Sequence, residues 1–487
     1  MTNAIYLTTT EPFSGKSIFA LGLVNLLASK TDKISYFKPI VTVKKNQHDR
    51  RLELIKQHFK LALPYEDMYA FTIEKAFKEI NRNNEAGLID TIIDKFQRIR
   101  ENSDFVVVEG TAFAGVTTNL EFNGNVAIAK NLGIPAAIIL NCAHKSALEI
   151  VEQGLAAINS FTSEGVQVLT LVANKVETGR EADIKAKLRE VLDPSILICT
   201  IPSHMELSNP TMEEIRESMG AKVILGEKHL TNRVDHTIVG AMQLRNFLQR
   251  LENNTLVITP GDRGDIIIGA LQANISKNFG KISGLILSGG MVPEDSIVQL
   301  IEGLETVVPI LQVEEPTFEV VTEVSNIKAR IAAEDKEKIA IAIRLFEQAV
   351  DEKALTDKLI GFHSDVLTPR MFQYQLVKRA KSSIKHIVLP EGEEDRILMA
   401  ADQLIKQGVV RLTLLGNRES IELTAKRLNL SLDLNSIQIE SPLSSPRFES
   451  YAETLYEQRK SKGLSLEMAR DLMQDVSYFG TMMVYRG

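Results

Sequence analysis

Eight residues near the amino terminus, Thr10-Glu11-Pro12-Phe13-Ser14-Gly15-Lys16-Ser17, have the types and spacing to hold a phosphate group. In a loop of pattern G-x-x-x-x-G-K-[ST] between a strand and a helix, backbone N–H groups surround the phosphate, the lysine neutralises it and the hydroxyl ligates magnesium. Gly15, Lys16 and Ser17 fit, while Thr10 replaces the first glycine, so the loop entry must take a conformation that a Cβ tolerates. The plainer alternative is a strand-to-helix turn that only keeps the fold. Glu109 closes the run FVVVE at the carboxyl end of a strand, where open α/β sheets place ligand residues; with Ser17 it could hold magnesium, directly or through water. Lys38, at the end of ISYFK, could pair with a phosphate or a substrate carboxylate, or be a solvated strand-end lysine. Asn174-Lys175 sits where P-loop proteins often read a base, although such a pair alone is more often a turn.

Further along, Asp262 and Arg263 precede an apolar helix, and Ser288-Gly289-Gly290 follows the strand GLILS. Loop amides and an Asp at a helix start either organise the turn or form an effector or nucleotide site. In PEGEEDR, Arg396 at a helix start could contact phosphate or another substrate group; a local salt bridge to Glu393 or Glu394 is its duller role. The eight histidines show no metal-ligand spacing, and two cysteines, Cys142 and Cys199, in apolar runs read as small core residues. No Ser/His/Asp or Cys/His arrangement stands out.

The elements that must position these residues alternate. Over the first 200 residues short apolar runs trade with longer amphipathic ones, the rhythm of a mostly parallel sheet with helices on both faces. Thr211 and Glu214 make a capping box for a helix ending before Gly220, which places a boundary there. The expected α/β organisation is a P-loop domain over 1–207, a small α/β module over 208–328, a helical connector over 329–370, and the first part of a further α/β domain over 371–487. The run from Ser477 to Val484 reads as a last strand at an unprotected sheet edge.

A chain of 487 residues with 44% hydrophobic and 24% charged residues suits several soluble domains and excludes disorder throughout. Its 56 basic against 63 acidic side chains leave a net charge of −7, so no overall basic field exists to hold nucleic acid or an anionic membrane. With no signal-like start and no long apolar run, the sequence reads as cytoplasmic. The glycosylation patterns at Asn253, Asn274 and Asn429 carry no meaning in that compartment.

Three stretches carry a family resemblance. The loop at Lys16, the Lys38-Pro39 pair and the Glu109-Gly110 pair resemble the dethiobiotin synthetase-like branch of P-loop proteins over about residues 1–200. Asp262-Arg263 with Ser288-Gly289-Gly290 resembles the DRTGG domain, with Ser288 in place of the threonine. TPRMFQYQL from Thr368, IVLPEGEEDR from Ile387, LLGN from Leu414 and YFGTMMV from Tyr478 look like the start of a phosphate acetyltransferase domain. In this order the three resemble the long form of the phosphate acetyltransferase family.

That resemblance implies reversible acetyl transfer between acetyl-CoA and orthophosphate, giving acetyl phosphate and CoA, with no cofactor required beyond CoA as substrate. It implies a homo-oligomer; a nucleotide with magnesium is the ligand that the residues of the phosphate loop could hold. In the family the main catalytic loop follows the TMMV-like stretch, so the principal catalytic residues are expected beyond Gly487, and the chain is read as a truncated member whose activity alone is left open. Two other functions compete: an ATP-dependent ligase of the dethiobiotin synthetase type using Lys16, Ser17, Lys38 and Glu109, and a non-enzymatic nucleotide-sensing or oligomer-forming module.

Overall fold

A computed structural model of the chain describes residues 3–43, 48–82, 84–111, 118–304, 308–361, 368–434 and 437–487. They form two compact bodies, Met1–Thr368 and Pro369–Gly487.

The first body contains two sheets. Strands β1 (Asn3–Thr9), β2 (Ile34–Val41), β3 (Tyr69–Thr72), β4 (Phe105–Glu109), β5 (Ala136–Asn141), β6 (Val168–Val176) and β7 (Leu197–Pro202) make one seven-stranded sheet in the order β3-β2-β4-β1-β5-β6-β7. Every pairing in it is parallel. Its central strands are apolar on both faces because helices cover both, as all-parallel sheets require. The chain runs one way from β1 to β2 and the other way from β4 to β5. The adjacent strands β1 and β4 therefore flank a topological switch point, where a crevice opens at the carboxyl ends. The loops carrying Lys16 and Glu109 leave those two strands.

One helix expected as a connector is part of this domain's core. Helix Lys336–Ala349 buries Ile339, Ile341, Ala342, Leu345 and Phe346 in the same cluster as helix Lys16–Ala28. The Phe346 ring lies edge-on to Phe19, centroids 5.2 Å apart, and fills the space at Gly22, where an added Cβ would meet it at 2.0 Å. Glycine is required there by close approach alone.

The second sheet comprises β8 (Lys222–Leu225), β9 (His236–Val239), β10 (Thr255–Pro260), β11 (Ile282–Ser288) and β12 (Ile310–Gln312) in the order β8-β12-β11-β10-β9. Only β8 runs antiparallel to its neighbour. Helix Gly264–Ile275 packs on one face and helices Met212–Met219 and Thr317–Asn326 on the other. The reciprocal Thr211–Glu214 cap and the left-handed Gly220 bound helix Met212–Met219 where the sequence places them. Buried Lys338, on the helix that packs beside the P-loop helix, reaches Asn209 O at 3.0 Å and the Glu214 carboxylate at 3.4 Å, so the two modules of this body share an ionic contact.

In the second body β13 (Lys385–Leu389), β14 (Val410–Leu415) and β15 (Gln438–Glu440) form a parallel three-stranded sheet. The stretch expected as a final edge strand is a helix, Val476–Arg486. Asp475 caps it by accepting the amides of Ser477 and Tyr478, and Phe479, Gly480, Met482 and Met483 fall on one buried side at helical spacing. The edge exposure inferred from a strand there falls with it.

Candidate phosphate-loop site

The turn from β1 into helix Lys16–Ala28 takes two left-handed residues, Phe13 at φ 58° and Gly15 at φ 74°. Gly15 is needed twice: for its φ, and because a Cβ would lie 2.2 Å from Asn174 Nδ2. Asn174, buried at the end of β6, donates from Nδ2 to the carbonyls of Ser14 at 2.8 Å and Gly15 at 3.3 Å, which fixes the loop's shape. Its role is thus more specific than a turn. Thr10 has no positive φ, and its hydroxyl accepts from Gln153 Nε2 at 3.0 Å, so the residue replacing the first glycine is accommodated without strain.

Lys16 lies turned inward. Its ammonium is 3.2 Å from Glu109 Oε1 and donates to the Gly110 carbonyl, with the side chain only 8% exposed. The other carboxylate oxygen of Glu109 accepts from the buried Tyr36 hydroxyl. Burial opposes the charge of Glu109, but Lys16, Arg51, Lys38 and the Tyr36 hydroxyl outweigh it and hold the carboxyl at about 2. Burial pulls Lys16 down to about 8, with Glu109 resisting. Both are ionised at neutral pH. Lys38 is held at 2.6 Å by Asp49, which also caps helix Arg50–Phe59 through the amides of Arg51 and Leu52. Arg51 Nη1 is buried without a hydrogen-bond partner among the described residues, close enough to contribute to the field on Glu109 and Lys16.

The structure therefore brings Gly15, Lys16, Lys38 and Glu109 to one crevice, and half-buried Ser17 follows Lys16 in the first helical turn. It adds Tyr36, Asp49 and Arg51, which sequence reading missed. Asp49 had a signal, an acidic residue directly before an amphipathic run with Glu53 in the first turn. The partnership of Tyr36 with Glu109, across 73 residues, had none. Direct magnesium ligation by Glu109 would require Lys16 and Tyr36 to let go of its two oxygens. Ser17 alone keeps its oxygen free of a partner among the described residues, and magnesium characteristically takes one or two protein ligands with waters and phosphates.

In the second sheet the two expected loops meet at the carboxyl ends of β10 and β11. Gly261 packs so closely on the Met291 carbonyl that a Cβ would lie 1.9 Å from it. Arg263 forks onto Asp265 at 2.8 and 2.9 Å and reaches the carbonyls of Gly240 and Met242, while Asp262 is exposed. The Ser288 hydroxyl pairs with Thr317 at 2.7 Å, and the amides of Gly289 and Gly290 donate to the carbonyls of Glu315 and Val313. Apart from exposed Asp262, the polar groups of these loops are engaged by Asp265, the loops after β9 and β12, and the start of helix Thr317–Asn326. In the second body Arg396 is exposed and finds no partner among the described residues. Neither Glu393 nor Glu394 pairs with it among the described residues; Glu393 instead accepts the Asn417 amide at 2.7 Å and joins the loops after β13 and β14.

Comparison with known proteins matches the chain throughout. Residues 371–487 match the family described as Phosphate acetyl/butaryl transferase, 214–327 the DRTGG domain and 3–211 an AAA domain. A phosphate acetyltransferase of Nitratidesulfovibrio vulgaris is 38% identical over 494 residues, spanning 100% of this chain and 70% of its own. The chain belongs to the phosphate acetyltransferase family. Two more phosphate acetyltransferases align along it: that of Synechocystis at 39% identity, over 100% of this chain and 70% of its own, and that of Pseudomonas putida at 28%, over 98% and 69%. As a phosphate acetyltransferase by family the chain is an acyltransferase, and the ligase reading has no support among these relatives. No helix among the described residues is long and apolar enough to cross a membrane.

Proposed function

We propose that the protein catalyses reversible acetyl transfer between acetyl-CoA and orthophosphate. The observation that carries this reading is likeness to two phosphate acetyltransferases along the whole chain at 38% and 39% identity. In the acetyl-CoA direction the CoA thiolate attacks the carbonyl of acetyl phosphate, an oxyanion develops, and phosphate departs with the bonding pair. The chemistry calls for donors aimed at that oxyanion and a cationic hold on the phosphate. Arg396, at the start of helix Asp395–Gln407 and without a partner among the described residues, is a contact that residues 371–487 offer to CoA or phosphate.

The domains are assigned as 1–207, completed by helix Lys336–Ala349, then 208–328 and 371–487. The first binds a nucleotide phosphate through Gly15, Lys16, Ser17 and Lys38, magnesium being carried on Ser17 and, after rearrangement, Glu109. When bound, the metal would neutralise phosphate charge. An anionic phosphate would compete with Glu109 for Lys16, so binding should open the ion pair. Asp262, Arg263, Ser288, Gly289 and Gly290 form the effector-responsive loops of the second. The protein works in the cytoplasm as a homo-oligomer.

The test is formation of acetyl-CoA from acetyl phosphate and CoA, read by thioester absorbance. It is run on this chain and on the chain joined to those segments of the Nitratidesulfovibrio relative that lie outside the match. Thioester formed by either supports the reading, and the pair locates the reacting groups. No thioester from both would refute it. Protection against heat by ATP with magnesium, lost in Lys16→Ala, tests the nucleotide assignment separately.

A further inference from the structure

The amino-terminal edge of the second sheet carries a polar hollow remote from the loops at Asp262 and Ser288. It has a volume of about 460 Å³, and His229, Asn232, Arg233, Asn254, Asn274 and Lys281 line it. It lies where β10 and β11 begin, whereas Ser288 ends β11. At about 3.3 Å per residue the two places are roughly 20 Å apart along that strand.

Three features give the hollow a chemical preference. No carboxylate among the described residues lines it, but Asp235 stands behind the lining residues Arg233 and Asn254, so the cation left to set its field is Lys281. Lys281 donates to the carbonyls of Asn274 and Ser276, at 2.5 and 3.0 Å, and has no carboxylate partner among the described residues. Arg233, by contrast, is already paired with Asp235 at 2.8 Å. Asn274 is only 8% exposed. Its Oδ1 accepts the Ile282 amide at 3.1 Å, which fixes the orientation of the side chain and leaves Nδ2 as a donor with no partner among the described residues. Asn232 is fixed likewise, its Nδ2 donating to the Ser283 carbonyl at 3.0 Å. A donor of fixed orientation beside an ammonium that has no carboxylate partner among the described residues is an arrangement that favours an anion, because charge-assisted bonds to an anion are roughly twice as strong as neutral ones.

We propose that this hollow is a binding site for a small dianionic metabolite, a phosphate monoester or a dicarboxylate, held by Lys281 and the Asn274 amide. Its volume is within the ordinary range of small-molecule sites, roughly 300–1,000 Å³. Nothing in the proposal depends on the P-loop or on acetyl transfer, so its failure would leave both readings standing.

The experiment is hydrogen–deuterium exchange of the full chain with inorganic phosphate or malonate at millimolar concentration, against chloride at equal ionic strength. Exchange should slow at least threefold in peptides covering 229–233 and 274–283 with one or both anions. Slowing by phosphate alone selects a phosphate monoester, by malonate alone a dicarboxylate, and by both a dianion of either kind. Lys281→Gln removes the charge while keeping a hydrogen-bond donor for the two carbonyls. It should abolish the slowing while leaving ligand-free exchange as in the parent; Lys281→Arg should retain the slowing. No slowing with either anion, or equal slowing in Lys281→Gln, would overturn the proposal.

Discussion

Replacing Glu109 by Gln removes one charge from a buried pair and leaves the other. At 3.2 Å, with an effective dielectric constant of about 20, the two charges attract by roughly 5 kcal/mol. Removing one partner of such a pair typically costs about 3–5 kcal/mol, since the remaining charge stays buried without compensation. In Glu109→Gln the ammonium of Lys16 keeps only the Gly110 carbonyl nearby, and its pKa must fall below the present value of about 8. The sign of the pH dependence follows. An unfolded lysine titrates near 10.5, so between the folded and unfolded values the unfolded state binds more protons, and stability rises with pH by up to about 1.4 kcal/mol per pH unit. In the parent that rise begins only above about 8; in Glu109→Gln it should begin near neutrality. On the acid side the parent should lose the contribution of Glu109 as pH falls from about 4.5 toward about 2, a loss the variant cannot show. Two bodies need not unfold together, so the readout is hydrogen exchange in the peptides of β1 and β4 rather than a global melt. A variant within about 0.5 kcal/mol of the parent, with the same pH profile in those strands, would refute the buried-pair reasoning.

Three other perturbations test the packing that supports the site. Phe346→Ala opens a void between helix Lys336–Ala349 and Gly22, and should destabilise the first sheet's exchange-protected core by about 3–5 kcal/mol. Lys338→Met removes the ammonium that Glu214 and the Asn209 carbonyl share; exchange should quicken at helix Met212–Met219, with about 2–4 kcal/mol lost locally. Asp475→Ala removes the cap of helix Val476–Arg486 and should lower the second body's melting free energy by about 1 kcal/mol, whereas an edge strand there would be indifferent to it.

Local signals made much of this structure legible. The cap Thr211–Glu214 and the glycine at 220 bounded their helix because capping chemistry lies within a few residues of what it caps. The alternation of strand and helix revealed a parallel sheet, and with it the carboxyl-end position of Glu109. Partners far apart in sequence were not legible. The apolar face of Lys336–Ala349 was evident, yet nothing in its periodicity says that it packs on Gly22, more than 300 residues earlier. TMMVY is a short apolar run rich in strand-forming types, where helix and strand cannot be told apart by period; the Asp475 cap decides it. At the site the sequence supplied the phosphate loop and its acidic neighbour. That Lys16 and Glu109 engage each other depends on the order of strands β4 and β1.

Acetyl transfer itself is most directly tested by isotope exchange of labelled orthophosphate into acetyl phosphate, with catalytic CoA and no ATP, using this chain and its extended counterpart. The account predicts that label enters acetyl phosphate only when CoA is present. Exchange that needs ATP, or none in either protein under conditions where a relative exchanges, would contradict it.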